Sequence, residues 1–214
     1  MRVCRLLLLA TLGLSSPMNA SAQEPPPRIG PFVIDVRGTV PRFDQNDQLA
    51  ESRGLLPGEL PGTGLGVDAG AHLYVFTWKA VTFGLGGQVT LARAHAAPAE
   101  STGLRPVTER FASITPQLSL NFGSGNGWSY LSAGIGPSLW KIVPDGADEG
   151  PADQERLRTV NYGGGARWFI KRRLAFTVDV RFHQVDPGTP MLGLPGSPRT
   201  TFMIFGAGAS FKVR

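Results

Sequence analysis

From about Pro31 onward, apolar residues recur at every second position in eight successive segments, with small or polar residues between them. Side chains on a β-strand point alternately to opposite faces, so period-two patterning gives each segment one oily face and one polar face. The segment from Gly64 to Phe76 shows this plainly. Leu65, Val67, Ala69, Ala71, Leu73 and Val75 fall on one face, and Gly66, Asp68, Gly70, His72, Tyr74 and Phe76 on the other. A helical period fits none of these segments.

The expected strands cover about 32–40, 64–76, 81–92, 110–122, 128–141, 159–170, 174–184 and 200–213. Connections near 77–79, 123–127 and 171–173 are short, and those spanning about 41–62, 93–108, 143–157 and 185–198 are long. Strict alternation of long and short links places all long loops on one rim and all short turns on the other. An all-β, eight-stranded, antiparallel up-and-down transmembrane β-barrel satisfies that order. Pro116 falls mid-strand, where it lacks a ladder donor, so a local bulge is expected there.

Alternation alone does not say which face is inside. A soluble barrel wants lysine and glutamate on its water face, yet here the polar face carries mostly glycine, serine and threonine. Small side chains suit the lumen of a narrow barrel, so the oily face is assigned to lipid. The polar face also carries a balanced set of charges, Asp35, Arg37, Asp68, Arg167, Asp179, Arg181 and Lys212. These are expected to form a lumen network. Arg167 and Asp179 would be diagonal neighbours across a tight turn, and closure of the last strand on the first would bring Lys212 toward Asp35. Trp78, Phe122, Trp128, Trp168 and Phe211, with Phe32, fit an aromatic interface belt at the short-turn rim, and Phe111, Tyr162 and Phe182 fit one at the long-loop rim.

Residues 1–22 read as a secretory signal peptide: Arg2 and Arg5, an apolar run from Leu6 to Leu14, and Ala20-Ser21-Ala22 before cleavage ahead of Gln23. Residues 23–30, with three consecutive prolines, read as a linker, and 31–214 as the barrel domain. The one cysteine, Cys4, lies in the leader, which leaves the exported chain without a thiol, disulfide or cysteine metal site. Loss of Arg2 and Arg5 lowers the formal charge of +5 by two. That mild excess, with no basic stripe interleaved with aromatics, excludes a nucleic-acid footprint. No later stretch is apolar enough for a membrane-spanning helix.

The chain resembles the small outer-membrane β-barrels, the OmpA/OmpX/OmpW-like group. The resemblance is carried by the export signal, the run Asn161-Tyr162-Gly163-Gly164-Gly165-Ala166-Arg167, the strand Thr177-Val178-Asp179-Val180-Arg181, and the closing strand Phe205-Gly206-Ala207-Gly208-Ala209-Ser210-Phe211. It implies a monomeric barrel in the outer membrane of a diderm bacterium, inserted by the barrel-assembly machinery and surrounded by outer-membrane lipid and lipopolysaccharide. The chain ends Phe211-Lys212-Val213-Arg214, where family members finish on an aromatic residue.

Candidates for chemistry are sparse. His72 and His183 point inward by parity, but no His, Cys or carboxylate cluster has ligand spacing, so no metal or cofactor is expected. His183 or His95 with Ser113, Ser138 or Ser197 forms no recognisable nucleophile motif, and no enzyme is expected. The acids Asp145, Asp148, Glu149, Asp153 and Glu155 fit a solvated loop better than a calcium loop. Three functions remain: a structural or interaction barrel presenting four extracellular loops, a small-solute porin-like channel, and a soluble periplasmic lipocalin-like binder.

Overall fold

The computed structural model describes residues 29–124 and 126–213; the expected signal peptide and most of the expected linker lie outside them. Eight antiparallel strands close into a barrel in chain order. They are β1 (Phe32–Arg42), β2 (Gly64–Trp78), β3 (Val81–Ala96), β4 (Val107–Ser124), β5 (Gly127–Pro144), β6 (Arg156–Lys171), β7 (Leu174–Val185) and β8 (Thr200–Val213). The β1–β8 ladder runs from Phe32 opposite Val213 to Arg42 opposite Met203, so neither strand is left as an edge. Closure is what disposes of the unpaired backbone groups that an edge would expose.

The orientation follows from burial along each strand. On β1, Asp35, Arg37 and Thr39 are buried while Ile34, Val36 and Val40 are exposed. On β4, Thr115, Gln117, Ser119 and Asn121 are buried while Ile114, Leu118 and Leu120 are exposed. A soluble protein would bury those branched side chains. Here they form a continuous outer belt, and the lumen takes the polar face.

β3, β4, β5 and β6 run several residues further toward the long-loop rim than their apolar pattern suggests, reaching 96, 107, 144 and 156. Their inward positions there are mostly apolar, with Glu109 buried among them and accepting from Trp140 Nε1 at 2.7 Å. Phe111, Trp140, Ile142, Leu157, Val185, Phe202 and Ile204 converge with Phe43, Leu49 and Leu60 from the first long connection. That connection is not open loop. It carries α1 (Asp47–Ser52), whose first turn is capped by the Asn46 side chain accepting from the Leu49 N–H at 2.7 Å, and it closes the barrel mouth. At the other end, Ile29, Val33 and Trp128 form a smaller apolar plug against Tyr74 and Phe169. Ile29, placed in the linker by its proline-rich neighbours, is thus part of the packed structure.

Three local expectations are corrected. Phe76 faces outward, because the β2–β3 register shifts between Tyr74 and Phe76 and reverses the parity beyond Val75. Pro116 makes no bulge: the β3–β4 ladder passes Gly87 opposite Pro116 without a shift. The β4–β5 ladder instead skips from Ser113–Ser138 to Gln117–Gly134 and resumes in the same register. Pro116 and Pro137 both lie in that gap, and neither has an N–H to give. Phe111 is buried against His183 and Phe202 and takes no part in an outer belt.

Gly136 sits in the same gap, and a Cβ built on it would fall 2.0 Å from the Ile114 carbonyl oxygen. Gly136→Ala is therefore expected to lower the unfolding free energy by roughly 1–3 kcal/mol through overpacking. Gly127→Ala, where a Cβ meets nothing within 4 Å, is expected to be neutral. Urea titration of the bilayer-inserted barrel checks both, and equal behaviour of the two variants would contradict the close approach.

Candidate functional site

Between the two apolar plugs lies a charged middle tier. Asp35 and Arg37 come from β1, Asp68 from β2, Arg167 from β6, and Asp179 and Arg181 from β7; all six are at most 4% exposed. Parity alone delivers them inward. Three aspartates then face three arginines, so the tier is formally neutral.

One of the three close ion pairs crosses the lumen, one joins directly opposed residues of β1 and β2, and one lies along β7. Arg167 grips Asp35 with two parallel bonds, Nη2 to Oδ2 at 2.7 Å and Nε to Oδ1 at 3.0 Å. Arg37 donates from Nη2 to Asp68 Oδ1 at 3.0 Å and from Nη1 to the Tyr130 hydroxyl at 2.9 Å. Tyr130 in turn donates to Asp179 Oδ2. Arg181 Nε lies 2.9 Å from Asp179 Oδ1, while its Nη1 and Nη2 reach Asn161 Oδ1 at 3.0 Å and Ser132 Oγ at 2.6 Å. Gln88 donates to Asp68 Oδ2 and accepts from Gln117 at 2.7 Å. The Arg167 guanidinium also sits over the Tyr130 ring, 4.0 Å from its centroid. Charge pairs this deep hold together only when hydrogen bonds satisfy them on several sides.

Six of the seven expected charges are thus brought together. Lys212 stands one inward step nearer the turn rim, opposite Val33, with its side chain over Gly30. The place beside Asp35 on β8 belongs to Ser210, whose hydroxyl donates to Asp35. Arg167 and Asp179 are diagonal in register, with Gly165 opposite Asp179, yet Arg167 turns across the barrel to Asp35. Sequence reading missed Tyr130, Gln88 and Gln117, which link the separate pairs; their inward parity was the available signal. His72 Nδ1 lies 3.7 Å from Asp35 Oδ2. His183 is the next inward residue after Arg181 on β7 and stacks on Phe202 at 5.5 Å between rings.

Of the expected belt aromatics, Trp78, Phe122, Trp168 and Phe211 are exposed on the outer wall. Trp78 carries Lys79 over its ring at 5.3 Å, and Trp168 stacks on Phe176 at 6.1 Å. Trp128 is corrected: it shares the inward face of β5 with Tyr130 and Ser132 and is buried in the turn-rim plug. No group of three or more His, Cys, Asp or Glu among the described residues is arranged to hold a metal ion.

Ion pairs fasten the loop-rim lid: Arg53, at the end of α1, meets Asp153 at 3.0 Å, and Glu59 meets Arg105. Glu59, the last residue of a short 3-10 turn (Pro57–Glu59) in the first long connection, accepts from the Arg105 backbone N–H at 2.8 Å, from Arg105 Nε at 3.0 Å and from the Leu56 N–H at 2.8 Å. The Arg105 hydrogen bonds hold the Glu59 carboxyl down at about 2, against an ordinary value of 4.5.

No family model matches this chain, and no curated protein matches it in sequence. Solved structures do match. Neisserial surface protein A superposes with a TM-score of 0.56 at 12% identity, over 85% of this chain and 97% of that one. Ail, the attachment invasion locus protein of Yersinia pestis, superposes at 0.50 with 12% identity, over 85% of this chain and 95% of that one. Ail in complex with the heparin analogue sucrose octasulfate gives 0.50 at 11% identity, over 85% and 96%.

Two measurements test this geometry. Arg167→Gln leaves Asp35 in the lumen without its bidentate partner, and the barrel is expected to lose about 3 kcal/mol of stability in a urea titration. Adding Asp35→Asn should restore part of it, and a single variant as stable as the parent would refute the pairing. For the lid, the sign follows from a carboxyl depressed in the folded state. Its contribution is present above pH 4.5 and fades as pH falls toward about 2. Protease cutting of the first long connection should rise over that window in the parent, whereas Glu59→Gln should be cut readily at every pH. With a closed eight-stranded up-and-down ring, an apolar outside and a charged, plugged inside, the chain has the fold of the small outer-membrane β-barrels.

Proposed function

We propose that this protein is an outer-membrane barrel with a structural or interaction role, anchored by its strands and presenting its four long connections outside the cell. The observation that carries this reading is the closure of the lumen at both ends. The Phe111–Trp140–Phe202 cluster with α1 fills one mouth, Ile29–Val33–Trp128 fills the other, and a neutral ion-pair tier lies between. An eight-stranded barrel has an interior that side chains can fill, and here they do, which disfavours a solute pore.

A soluble binder is disfavoured by the outer wall. Leu65 is 74% exposed, Ile170 71% and Leu118 65%, and such side chains recur around the whole ring. A soluble protein rarely leaves so large a continuous apolar surface in water. Lipid is the solvent that makes this surface favourable.

The long-loop side offers a firm platform. β3 to β6 continue past the apolar belt; Lys141 to Glu149 at 2.6 Å and Arg158 to Asp186 at 2.7 Å tie connections to β5 and β6, and Arg53 to Asp153 at 3.0 Å ties the first long connection to the third. Rigid elements that position loops are the usual basis of binding surfaces. Neighbours with this fold include a surface protein and an attachment protein seen with a sulfated sugar. The acids at 145, 148, 149, 153 and 155 of the third long connection would repel such a polyanion at that loop.

The orientation is testable because the exported chain is expected to carry no cysteine. In intact cells, a membrane-impermeant maleimide should label Leu192→Cys, in the fourth long connection, and spare Arg172→Cys, in a short turn. Reversed labelling would place the loops inside the envelope. The purified barrel should also be silent in a planar bilayer; steady openings would return the channel reading.

A further inference from the structure

Arg93 on β3 stands directly opposite Arg110 on β4, and Arg110 stands directly opposite Lys141 on β5. All three side chains leave the outer wall at the loop-side border of the apolar belt. Directly opposed residues have Cβ atoms only about 4.5–5.5 Å apart, where like charges repel. Among the described residues, neither the Arg93 nor the Arg110 guanidinium has a hydrogen bond or ion pair. Lys141 meets Glu149 at 2.6 Å, and Asp145 and Glu149 line a polar hollow just above Arg110 and Lys141. Neither guanidinium is therefore directly paired; the acids bordering Arg110 stand on its loop side, which leaves the space between Arg93 and Arg110 as the place for an anion.

Immediately below them the wall is concave. Leu65, Val67, Leu91, Ala112 and Leu139 line an apolar groove of about 420 Å³, with Arg93, Arg110 and Lys141 along its edge. Oily floor and cationic rim are stacked in the order that an acyl chain and its headgroup take at a membrane border. Elsewhere on this border Arg156, opposite Leu139, is the other exposed cation without a hydrogen bond or ion pair among the described residues, while its neighbours are engaged. Arg42 lies over the Phe205 ring at 5.8 Å, and Arg158 meets Asp186 at 2.7 Å.

We propose that Arg93, Arg110 and Lys141 form a binding site for the phosphate of an acylated lipid in the surrounding leaflet, with one of its chains lying in the groove below. Guanidinium groups bind phosphate oxygens through paired, charge-assisted hydrogen bonds. A phosphate between Arg93 and Arg110 supplies the missing negative charge and turns their repulsion into cohesion. Held lipid would seal the wall across β3, β4 and β5, beside the Pro116–Pro137 gap in the β4–β5 ladder. This inference rests on the outer-membrane placement proposed above.

The test uses the full barrel in phosphatidylcholine nanodiscs, with lipid A and dephosphorylated lipid A as probes and native mass spectrometry as readout. The parent should retain lipid A in preference to the dephosphorylated form. Each cation removed should weaken retention roughly fivefold, and the triple Arg93→Gln, Arg110→Gln, Lys141→Gln variant about a hundredfold. Arg172→Gln with Arg173→Gln, at the opposite rim, should leave it unchanged. Equal retention of both probes, equal loss in the turn-rim variant, or full displacement by millimolar inorganic phosphate would each overturn the site. Arg110→Gln alone serves if the triple variant fails to insert. A parent that inserts normally yet shows no preference refutes this site only, whereas a parent that does not insert into bilayers refutes the outer-membrane placement itself.

Discussion

The bidentate bond between Arg167 and Asp35 joins β6 to β1 across the inside of the ring. The rest of the architecture depends on what that bond makes possible. A closed barrel with an oily exterior must send its alternate residues inward, and the charged ones among them lose their water. Left alone, a buried guanidinium or carboxylate is costly. Paired in a neutral set of three and three, the charges are held down, and the Arg167–Asp35 bond with the Tyr130 links to Arg37 and Asp179 crosslinks strands that share no backbone hydrogen bonds. Ladder bonds fix each strand to its neighbours, and the lumen network ties non-adjacent strands to one another.

The same inward geometry explains the plugs. Above and below the charged tier the inward positions turn mostly apolar, and they fill with Phe111, Phe202 and Trp140, the last donating to the buried Glu109, at one end and Trp128 at the other. The lumen thus has its own small hydrophobic cores, lidded by α1 and fastened by Glu59 and Arg105. Stability inside and solvation outside are supplied by separate sets of residues, which leaves the loop-side surface free to vary.

Much of this was legible in the sequence. Period two with small residues on the polar face identified the barrel and its orientation, because Asp35, Arg37, Asp68 and Asp179 could not face lipid. The order of long and short links fixed the up-and-down path. Partner choice was less legible. Arg167 prefers Asp35 across the lumen to its diagonal neighbour Asp179, and local register carries no information about side chains meeting across a ring. Phe111 and Trp128 have inward parity, but aromatics near strand ends resemble belt residues until the strands are seen to run on. Phe76 escaped because one extra residue at Val75 reverses a face without leaving a composition signal.

The central claim is that the apolar face of each strand meets lipid while its neighbours meet the lumen. A nitroxide scan with single cysteines from Ala112 to Phe122 on β4 tests it most directly, read as collision rates with oxygen and with a water-soluble nickel chelate in bilayers. Oxygen accessibility should rise at Ala112, Ile114, Leu118, Leu120 and Phe122 and fall at Ser113, Thr115, Gln117, Ser119 and Asn121. A reversed or featureless profile would contradict the account.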